Sequence, residues 1–199
     1  MTALSPLLIN RVTDSENELV SLDDAKAQLR ICDETSEDAL ILDLITDARQ
    51  AIEESSGLSL SSGQAWQAHY ECFPLSRMFK ILRPPATAIT AVKYYDADNN
   101  EQTLSGSTYV TNSLSTGYAT LSLTDDFSYP TLSNDFELKV VIEYTAGYTA
   151  LPGNIRRAIL YLVQHFFDNR SMVNVGASVT KVPKTFDYLL NQFRIPRVF

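Results

Sequence analysis

The sequence changes its hydrophobic period twice, from helical spacing to strand spacing and back. In residues 21–57 and 151–193, apolar side chains recur every three or four positions, whereas residues 64–146 contain short β-branched and aromatic runs. Neither helical zone can bury its apolar stripe alone, so the two zones are expected to pack on each other. The chain is therefore predicted to be an α+β protein, a helical bundle of N- and C-terminal helices with an inserted antiparallel β-sandwich-like domain.

The N-terminal helical zone carries start and stop signals. Ser21 with Asp24 fits a capping box and opens a short helix. Thr35 with Asp38 offers a second capping box, and the longer helix that follows is predicted to end at a cap on Gly57. The apolar stripe of this longer helix consists of Ile41, Leu44, Ile45, Ala48 and Ile52.

The middle zone contains the predicted strands, which are rich in β-branched and aromatic residues. They are Gln64–Phe73, Ile89–Tyr95, Thr108–Thr111, Tyr118–Leu123 and Glu137–Thr145. Turn sequences separate them at Arg83-Pro84-Pro85, Asp98-Asn99-Asn100 and Ser105-Gly106-Ser107, and a polar loop covers residues 124–135. About five or six short strands at this spacing are typical of an antiparallel sandwich or a small open barrel.

The C-terminal helical zone begins at Leu151-Pro152-Gly153-Asn154, where proline is tolerated in the first turn. Its apolar stripe consists of Ile155, Ile159, Leu162, Val163, Phe166 and Phe167. The helix is predicted to end near Arg170, and residues 171–182 are predicted to form a flexible loop. Pro183 opens a last short helix before the C-terminal tail.

These zones predict one domain organisation. It comprises an N-terminal arm (1–20), N-terminal helices (21–60), an inserted β domain (64–146), C-terminal helices that pack on the first ones (151–193), and a tail (194–199). An insertion is favoured over two independent domains because each helical end needs the other to cover its stripe. A chain of 199 residues is long enough to bury such a core.

Charge is distributed unevenly along the chain, whose formal net charge is −8. Residues 14–54 contain 13 acidic and 3 basic residues, and residues 154–199 contain 2 acidic and 7 basic residues. The overall charge argues against a sequence-independent DNA-binding protein, which needs a basic face. The asymmetry indicates that opposite ends meet, within one subunit or between neighbours; the alternative is a pair of solvated helix faces.

Signals for chemistry are absent from the sequence. It contains no glycine-rich phosphate loop and no nucleophile motif. His69 and His165 lack partners at ligand spacing and are interpreted as structural. Cys32 and Cys72 are predicted to be buried, reduced thiols. We expect no catalytic residues, no metal site and no cofactor, and the chain is predicted not to be an enzyme.

Aromatic side chains concentrate in the middle zone. They are Trp66, Tyr70, Phe73, Tyr94, Tyr95, Tyr109, Tyr118, Tyr144 and Tyr148. A stacking platform for glycans or nucleic acid is one interpretation. The favoured interpretation is a sandwich core with cross-strand aromatic pairs, because a nucleic-acid platform needs basic residues that this zone lacks.

The sequence also indicates where in the cell the protein is made. The longest apolar runs are far shorter than the roughly 20 residues that span a bilayer. Residues 1–10 have no basic region ahead of an apolar stretch, as a secretory signal would. Synthesis in the cytoplasm and no membrane association are therefore expected.

Several stretches occur in an order that is typical of one protein family. They are Ser21–Arg30, Asp38–Glu53 with Gly57, Phe73-Pro74, Leu82–Pro85 leading into Ile89–Tyr95, Tyr144–Tyr148, Leu151–Ile159 and His165–Arg170. The stretches from Tyr144 to Arg170 are the most specific, and together all of them extend the likeness from Ser21 to Phe199. In this order the chain resembles the phage head–tail connector family, the adaptor or head-completion proteins, in the longer form with strands inserted between helices.

The resemblance implies a structural virion protein of the neck, at the head–tail interface. Such adaptors form a homo-oligomeric ring, commonly of twelve copies, under the portal protein. The ring extends the DNA channel and provides a platform for the stopper or tail-completion protein. Genomic DNA would pass through the lumen without sequence-specific binding, which suits an acidic helical zone. The protein would be made in the host cytoplasm.

The resemblance also assigns roles to particular residues. The portal-binding segment would be the tail Arg194, Ile195, Pro196, Arg197, Val198 and Phe199, whose apolar side chains serve as anchors and whose arginines pair with acidic groups. Candidate subunit-interface residues are Arg156, Arg157, Asp43, Asp47 and Glu54, because a closed ring needs two different faces on each subunit. The competing interpretations are another neck or tail-completion protein, a glycan-binding β module, and a hydrolase that uses the acidic helix.

Overall fold

The structure is a computed structural model that describes residues 3–15, 18–31, 34–112 and 119–169. The chain divides into two units. The β unit comprises the segment up to Ser15 together with Ser61–Tyr148, and the helical unit comprises Glu16–Leu60 together with the segment from Thr149 onward. The predicted combination of helices with antiparallel sheets is confirmed.

The helical unit contains helices from both ends of the sequence. Its described helices are α1 (Leu22–Leu29), α2 (Asp38–Ser56) and α3 (Gly153–Asp168), and each contacts the other two. The buried side chains are Ile41, Ile45, Ala48 and Ile52 of α2 and Ile155, Ala158, Ile159, Leu162 and Val163 of α3, together with Ala25 of α1. The apolar stripes identified in the sequence therefore lie in one shared unit. The predicted last short helix after Pro183 lies outside the described residues.

Helix α1 begins and α2 ends as the sequence predicts. The Ser21 hydroxyl accepts a hydrogen bond from the Asp24 amide at 3.1 Å, which caps α1. At the end of α2, Gly57 adopts a left-handed conformation, and its amide donates to the Glu53 carbonyl at 2.9 Å.

The second predicted capping box is wrong. Helix α2 is preceded by Glu37, which makes no side-chain capping bond, and Thr35 supplies only a backbone carbonyl to the Asp38 amide. The Asp38 carboxylate forms an ion pair with Lys26 of α1 instead of closing a box with Thr35. The Asp38 carboxylate, which the local sequence predicts to cap α2, therefore takes part in a contact between α1 and α2 instead.

A buried arginine connects three parts of the helical unit. The Arg49 Nε lies 3.0 Å from both carboxylate oxygens of Glu18, and its Nη1 donates to Glu53 Oε2 at 3.1 Å. Glu53 Oε1 in turn accepts the Leu60 amide at 2.9 Å. Because Arg49 and Glu53 are both buried, each charge needs the other to offset its loss of water. The network therefore connects α2 to the segment before α1, through Glu18, and to the segment after α2, through Leu60.

The described part of the β unit forms two antiparallel sheets. One has five strands in the order β1-β2-β8-β4-β5, and the other has three in the order β3-β7-β6. The strands are β1 (Leu8–Thr13), β2 (Gln64–Tyr70), β3 (Met78–Ile81), β4 (Ala86–Tyr95), β5 (Glu101–Thr103), β6 (Tyr109–Asn112), β7 (Ala119–Leu123) and β8 (Val140–Ala146). Every second residue of β2 and β7 is buried, which matches a period of two with one face toward a core.

One buried cluster takes side chains from both sheets. Tyr70 of β2 meets Phe79 of β3 edge to face, with ring centroids 4.8 Å apart. Phe73 lies beside Phe79 and Phe127, and the Tyr144 hydroxyl donates to the Leu82 carbonyl at 2.8 Å. Large aromatic side chains therefore hold the two sheets together.

Three strands were not indicated by the sequence. The predicted N-terminal arm contains β1, whose apolar residues do not alternate regularly and which pairs with β2 through contacts distant in sequence. β3 has only four residues, and β5 is three polar residues that pair with the end of β4. Short or irregular strands give little periodicity, so their pairing partners decide their conformation.

The prediction of buried cysteines is wrong for Cys72. Its side chain is exposed, and the thiol is free. The residue follows the last residue of β2 by two positions, at the point where the chain leaves one sheet for the other, and Phe73 rather than Cys72 enters the core. Cys32 lies outside the described residues.

Gly147 is a position where a side chain has no room. Its φ is +126°, and a Cβ built there would lie 1.9 Å from the Ser61 carbonyl oxygen. Such a clash with backbone requires movement of the chain, since a backbone atom cannot rotate away. Ser61 and Tyr148 form a parallel bridge beside it, so the two segments that enter and leave the β unit run together at this point.

We expect Gly147→Ala to destabilise the protein strongly. Backbone strain of this kind costs about 1–3 kcal/mol, and the overlap with Ser61 adds to it. Gly106→Ala is the matched control, because no atom lies within 4 Å of the added Cβ and its φ is not positive. Urea denaturation of both variants measures the difference, and an equal free energy of unfolding for the two would contradict this account of Gly147.

Arg49→Ala is expected to lower the free energy of unfolding by about 3–5 kcal/mol, because it leaves the buried Glu53 carboxylate without its cation. Gln50→Ala, on the exposed side of the same helix, should change stability by less than about 0.5 kcal/mol. Thermal and chemical denaturation followed by circular dichroism distinguishes the two. A loss below about 1 kcal/mol for the Arg49 variant would show that the network contributes little.

Candidate functional site

An acidic stripe runs along the exposed side of α2. Asp43, Asp47 and Glu54 are all exposed, and spacings of four and seven residues place them on one side of the helix. The opposite side carries the buried isoleucines Ile45 and Ile52. These three predicted interface residues thus share one continuous surface, which we call the acidic stripe.

The two predicted arginines of α3 have different surroundings. Arg157 is exposed, whereas Arg156 Nη2 lies 2.5 Å from the Asp24 Oδ2 of α1. The hydrogen bond from Arg156, followed by the one that involves Ser21, lowers the pKa of the Asp24 carboxyl. Arg156 therefore has a partner inside its own helical unit, and Arg157 is the cation that α3 presents to solvent.

Helix α1 is held by polar contacts with both longer helices. Besides the Asp24 pair with α3, Gln28 Nε2 donates to Gln164 Oε1 of α3 at 2.7 Å. Lys26 pairs with Asp38 of α2. Asp24 was identified in the sequence only as part of a capping box, and nothing local to it indicated an arginine so far along the chain.

The predicted portal-binding tail cannot be located, because residues 194–199 lie outside the described residues. The loop predicted at 171–182 also lies outside the described residues.

Arg49 is a structural residue that the sequence analysis did not identify. The sequence could have indicated this ion pair, because an arginine and a glutamate four residues apart lie next to each other on a helix.

The histidines do not gather ligands. Within the described ranges, no group of three or more His, Cys, Asp or Glu side chains is arranged to hold a metal ion. Burial lowers the pKa of His69, which favours its neutral form. His165 lies near the end of α3, where its carbonyl accepts a bond from the Asn169 side chain at 2.8 Å. The Nε2 of His69 is buried and has no hydrogen-bond partner among the described residues.

The aromatic residues of the β unit are largely core residues. Trp66, Tyr70, Phe73 and Tyr144 are buried, which confirms the favoured interpretation for these four. Tyr94 and Tyr109 pack on the same cluster and are partly exposed, and Tyr118 lies outside the described residues. Rings that face inward between two sheets are not available to stack on a ligand.

No described helix combines the length and hydropathy needed to cross a membrane.

The fold is similar to those of subunits in solved neck structures. One chain from the virion of a native gene transfer agent particle superposes with a TM-score of 0.77 at 21% identity, covering 97% of this chain and 98% of that chain. Chains from the neck of an empty particle, computed with C6 symmetry, and of a native particle, computed with C12 symmetry, give TM-scores of 0.76 and 0.74 at 20% and 19% identity. Both cover the same shares of the two chains.

No curated protein matches the chain in sequence. The model of one protein family, described as "HCP: Head completion protein", matches residues 18–194. The family predicted from the sequence, and with it the class of structural head-to-tail connector proteins, is confirmed. The chain belongs to the head completion protein family.

Proposed function

We propose that this protein is a head-to-tail connector subunit, an adaptor that forms a ring in the neck of a virion. The observation that carries the proposal is the family match over residues 18–194, and the neck fold extends over 97% of the chain. A component of this kind works through its surfaces and its symmetry, and a non-enzymatic role follows from the family.

A ring of twelve copies is the assembly we propose. Neck structures with the same fold are computed with C12 and C6 symmetry, which supports a cyclic arrangement. In a cyclic ring each subunit presents two different faces, one to each neighbour. The portal protein would lie on one side of this ring and the stopper or tail-completion protein on the other.

The lumen of the ring would extend the DNA channel. A net charge of −8 disfavours tight binding of phosphates, so DNA would slide rather than adhere. The protein would contact DNA without reading its sequence.

For the architecture, we propose a helical bundle of residues 21–60 and 151–193 into which a β-sandwich-like domain of residues 64–146 is inserted. Support comes from the contact of α2 with α3 and from the core that both sheets share. The strand β1 adds part of the N-terminal arm to the inserted domain.

The acidic stripe and Arg157 are proposed as complementary parts of the subunit interface. All four side chains, Asp43, Asp47, Glu54 and Arg157, are exposed on the helical unit. Arg156 contributes less, because it already pairs with Asp24. Opposite charges across a contact between copies would set its register and speed its formation.

The tail of residues 194–199 is proposed as the portal anchor. Ile195, Val198 and Phe199 offer apolar side chains, and Arg194 and Arg197 offer cations for acidic partners. A short segment that combines the two is suited to docking on a surface of another protein.

The alternatives have less support. A stopper or tail-completion protein is usually dominated by strands, whereas this chain has a complete helical unit. A glycan-binding module would need its aromatic rings exposed, whereas Trp66, Tyr70, Phe73 and Tyr144 of the predicted set are buried. A hydrolase built on α2 would need converging acidic groups, whereas Asp43, Asp47 and Glu54 all lie on one exposed helix side.

Asp47→Lys and Arg157→Glu are each expected to weaken ring assembly by about tenfold in subunit concentration, since each replaces an attraction between copies by a repulsion. The double variant that exchanges the two charges should recover part of the loss. Asp98→Lys, at an exposed turn of the β unit, is the matched control. Native mass spectrometry across a salt series provides the measurement, and assembly that is indifferent to both salt and charge reversal would exclude these faces.

Truncation after Gln192 is expected to abolish or greatly reduce binding to the portal protein of the same particle, because it removes every anchor of the tail. The truncated chain should keep its circular dichroism spectrum and its ability to form rings. A pull-down on immobilised portal compares it with the full chain. Full portal binding by the truncated chain would remove the tail from the proposed interface.

A further inference from the structure

The two sheets of the β unit have four edges, formed by β1, β5, β3 and β6. A free strand edge offers a row of backbone amides and carbonyls to any other strand, and natural proteins usually block it. How each of these four edges is blocked, or left open, therefore indicates where another chain can pair.

Two of the edges are blocked. Leu4 lies along β3, where its amide donates to the Met78 carbonyl at 2.8 Å and its carbonyl accepts the Lys80 amide at 2.7 Å. β5 has three residues, and one of them is the charged Glu101, which pairs with Lys93. A covered edge and a very short charged edge are both poor sites for strand pairing.

The other two edges are open within the described residues. β1 has twice the length of β5, and no described strand pairs with its outer side. It carries the exposed apolar residues Leu8 and Val12, at 44% and 57% exposure, besides the charged Arg11. β6 has the uncharged sequence Tyr-Val-Thr-Asn, and its Val110 is 54% exposed. A bulge between Arg11 and Thr13 ends the regular part of β1, so each open edge offers about four residues in regular pairing.

The two open edges lie on opposite flanks of the β unit. On one flank, three residues join Leu4, which lies along β3, to the start of β1, and Tyr70 of the neighbouring strand β2 meets Phe79 of β3 edge to face. On the other flank, five residues join the end of β5 to the start of β6. The first of them is Leu104, whose amide donates a hydrogen bond to the Val92 carbonyl of β4. Such short connections leave no room to cross the sandwich, so β1 and β6 face away from each other.

We infer that β1 of one copy pairs edge to edge with β6 of the next copy in the ring. The inference rests on the proposed ring assembly. Pairing of β1 with β1 would close a two-fold dimer, whereas β1 with β6 joins two different faces and continues from copy to copy, as a cyclic ring requires. Backbone hydrogen bonds would supply the contact, and Leu8 and Val110 would be partly covered by it.

The test places a lysine on each open edge of the full-length chain. Leu8→Lys and Val110→Lys are each expected to reduce the ring fraction by about tenfold or more at a fixed subunit concentration, because a lysine on an edge strand opposes pairing. Thr103→Lys on β5 is the matched control, since it makes the same change on a blocked edge, and it should assemble like the parent. Circular dichroism confirms that each variant is folded, and native mass spectrometry counts the copies.

A mixture of the Leu8→Lys and Val110→Lys variants gives a second readout. Each variant keeps one open edge, so the mixture should form heterodimers that cannot extend, while each variant alone remains monomeric. Normal rings from either variant, or dimers of one variant alone, would overturn the edge pairing and leave the connector function standing. A parent chain that stays monomeric at every concentration and in the presence of portal would instead overturn the proposed ring, and the edge pairing with it.

Discussion

The structure depends on the contact between α2 and α3, two helices that lie on either side of the whole middle zone of the sequence. Ile45 and Ile52 on one helix and Ile155 and Ile159 on the other are buried in the same unit, and among the described elements α2 and α3 make the most extensive helix–helix contact. Burial of each such side chain is worth about 1.5–3 kcal/mol. The need to bring these two stripes together explains why the strands between them form a separate unit.

Polar contacts then determine how the short helix α1 sits against this pair. Asp24, Lys26 and Gln28 reach in different directions, two toward α3 and one toward α2. The Asp24–Arg156 pair is exposed, and exposed ion pairs add little free energy individually. Their value here lies in geometry, because they hold a helix of eight residues that buries only Ala25. The Arg49 network likewise holds the segments around α2 in place. Because the charges of Arg49 and Glu53 are buried, loss of one partner costs more free energy than loss of an exposed pair.

Much of the fold could be predicted from the sequence, and the failures have physical reasons. The stripes of α2 and α3, the caps at Ser21 and Gly57 and the longer strands follow from periodicity and local chemistry, which act over a few residues. β1 and β5 depend on partners distant in sequence, so their local pattern is weak. Among the candidate site residues, the exposure of the acidic stripe follows from helical spacing. The difference between Arg156 and Arg157 does not, because it depends on where α1 places Asp24.

The order of elements along the chain has a consequence for synthesis on the ribosome. All eight described strands precede α3, and α1 and α2 precede seven of those strands. The nascent chain therefore has every described partner for its two sheets before α3 leaves the exit tunnel. Until then the isoleucines of α2 lack the side chains of α3 that cover them. The helical unit is completed only when Gly153–Asp168 has emerged, so the two units mature at different times.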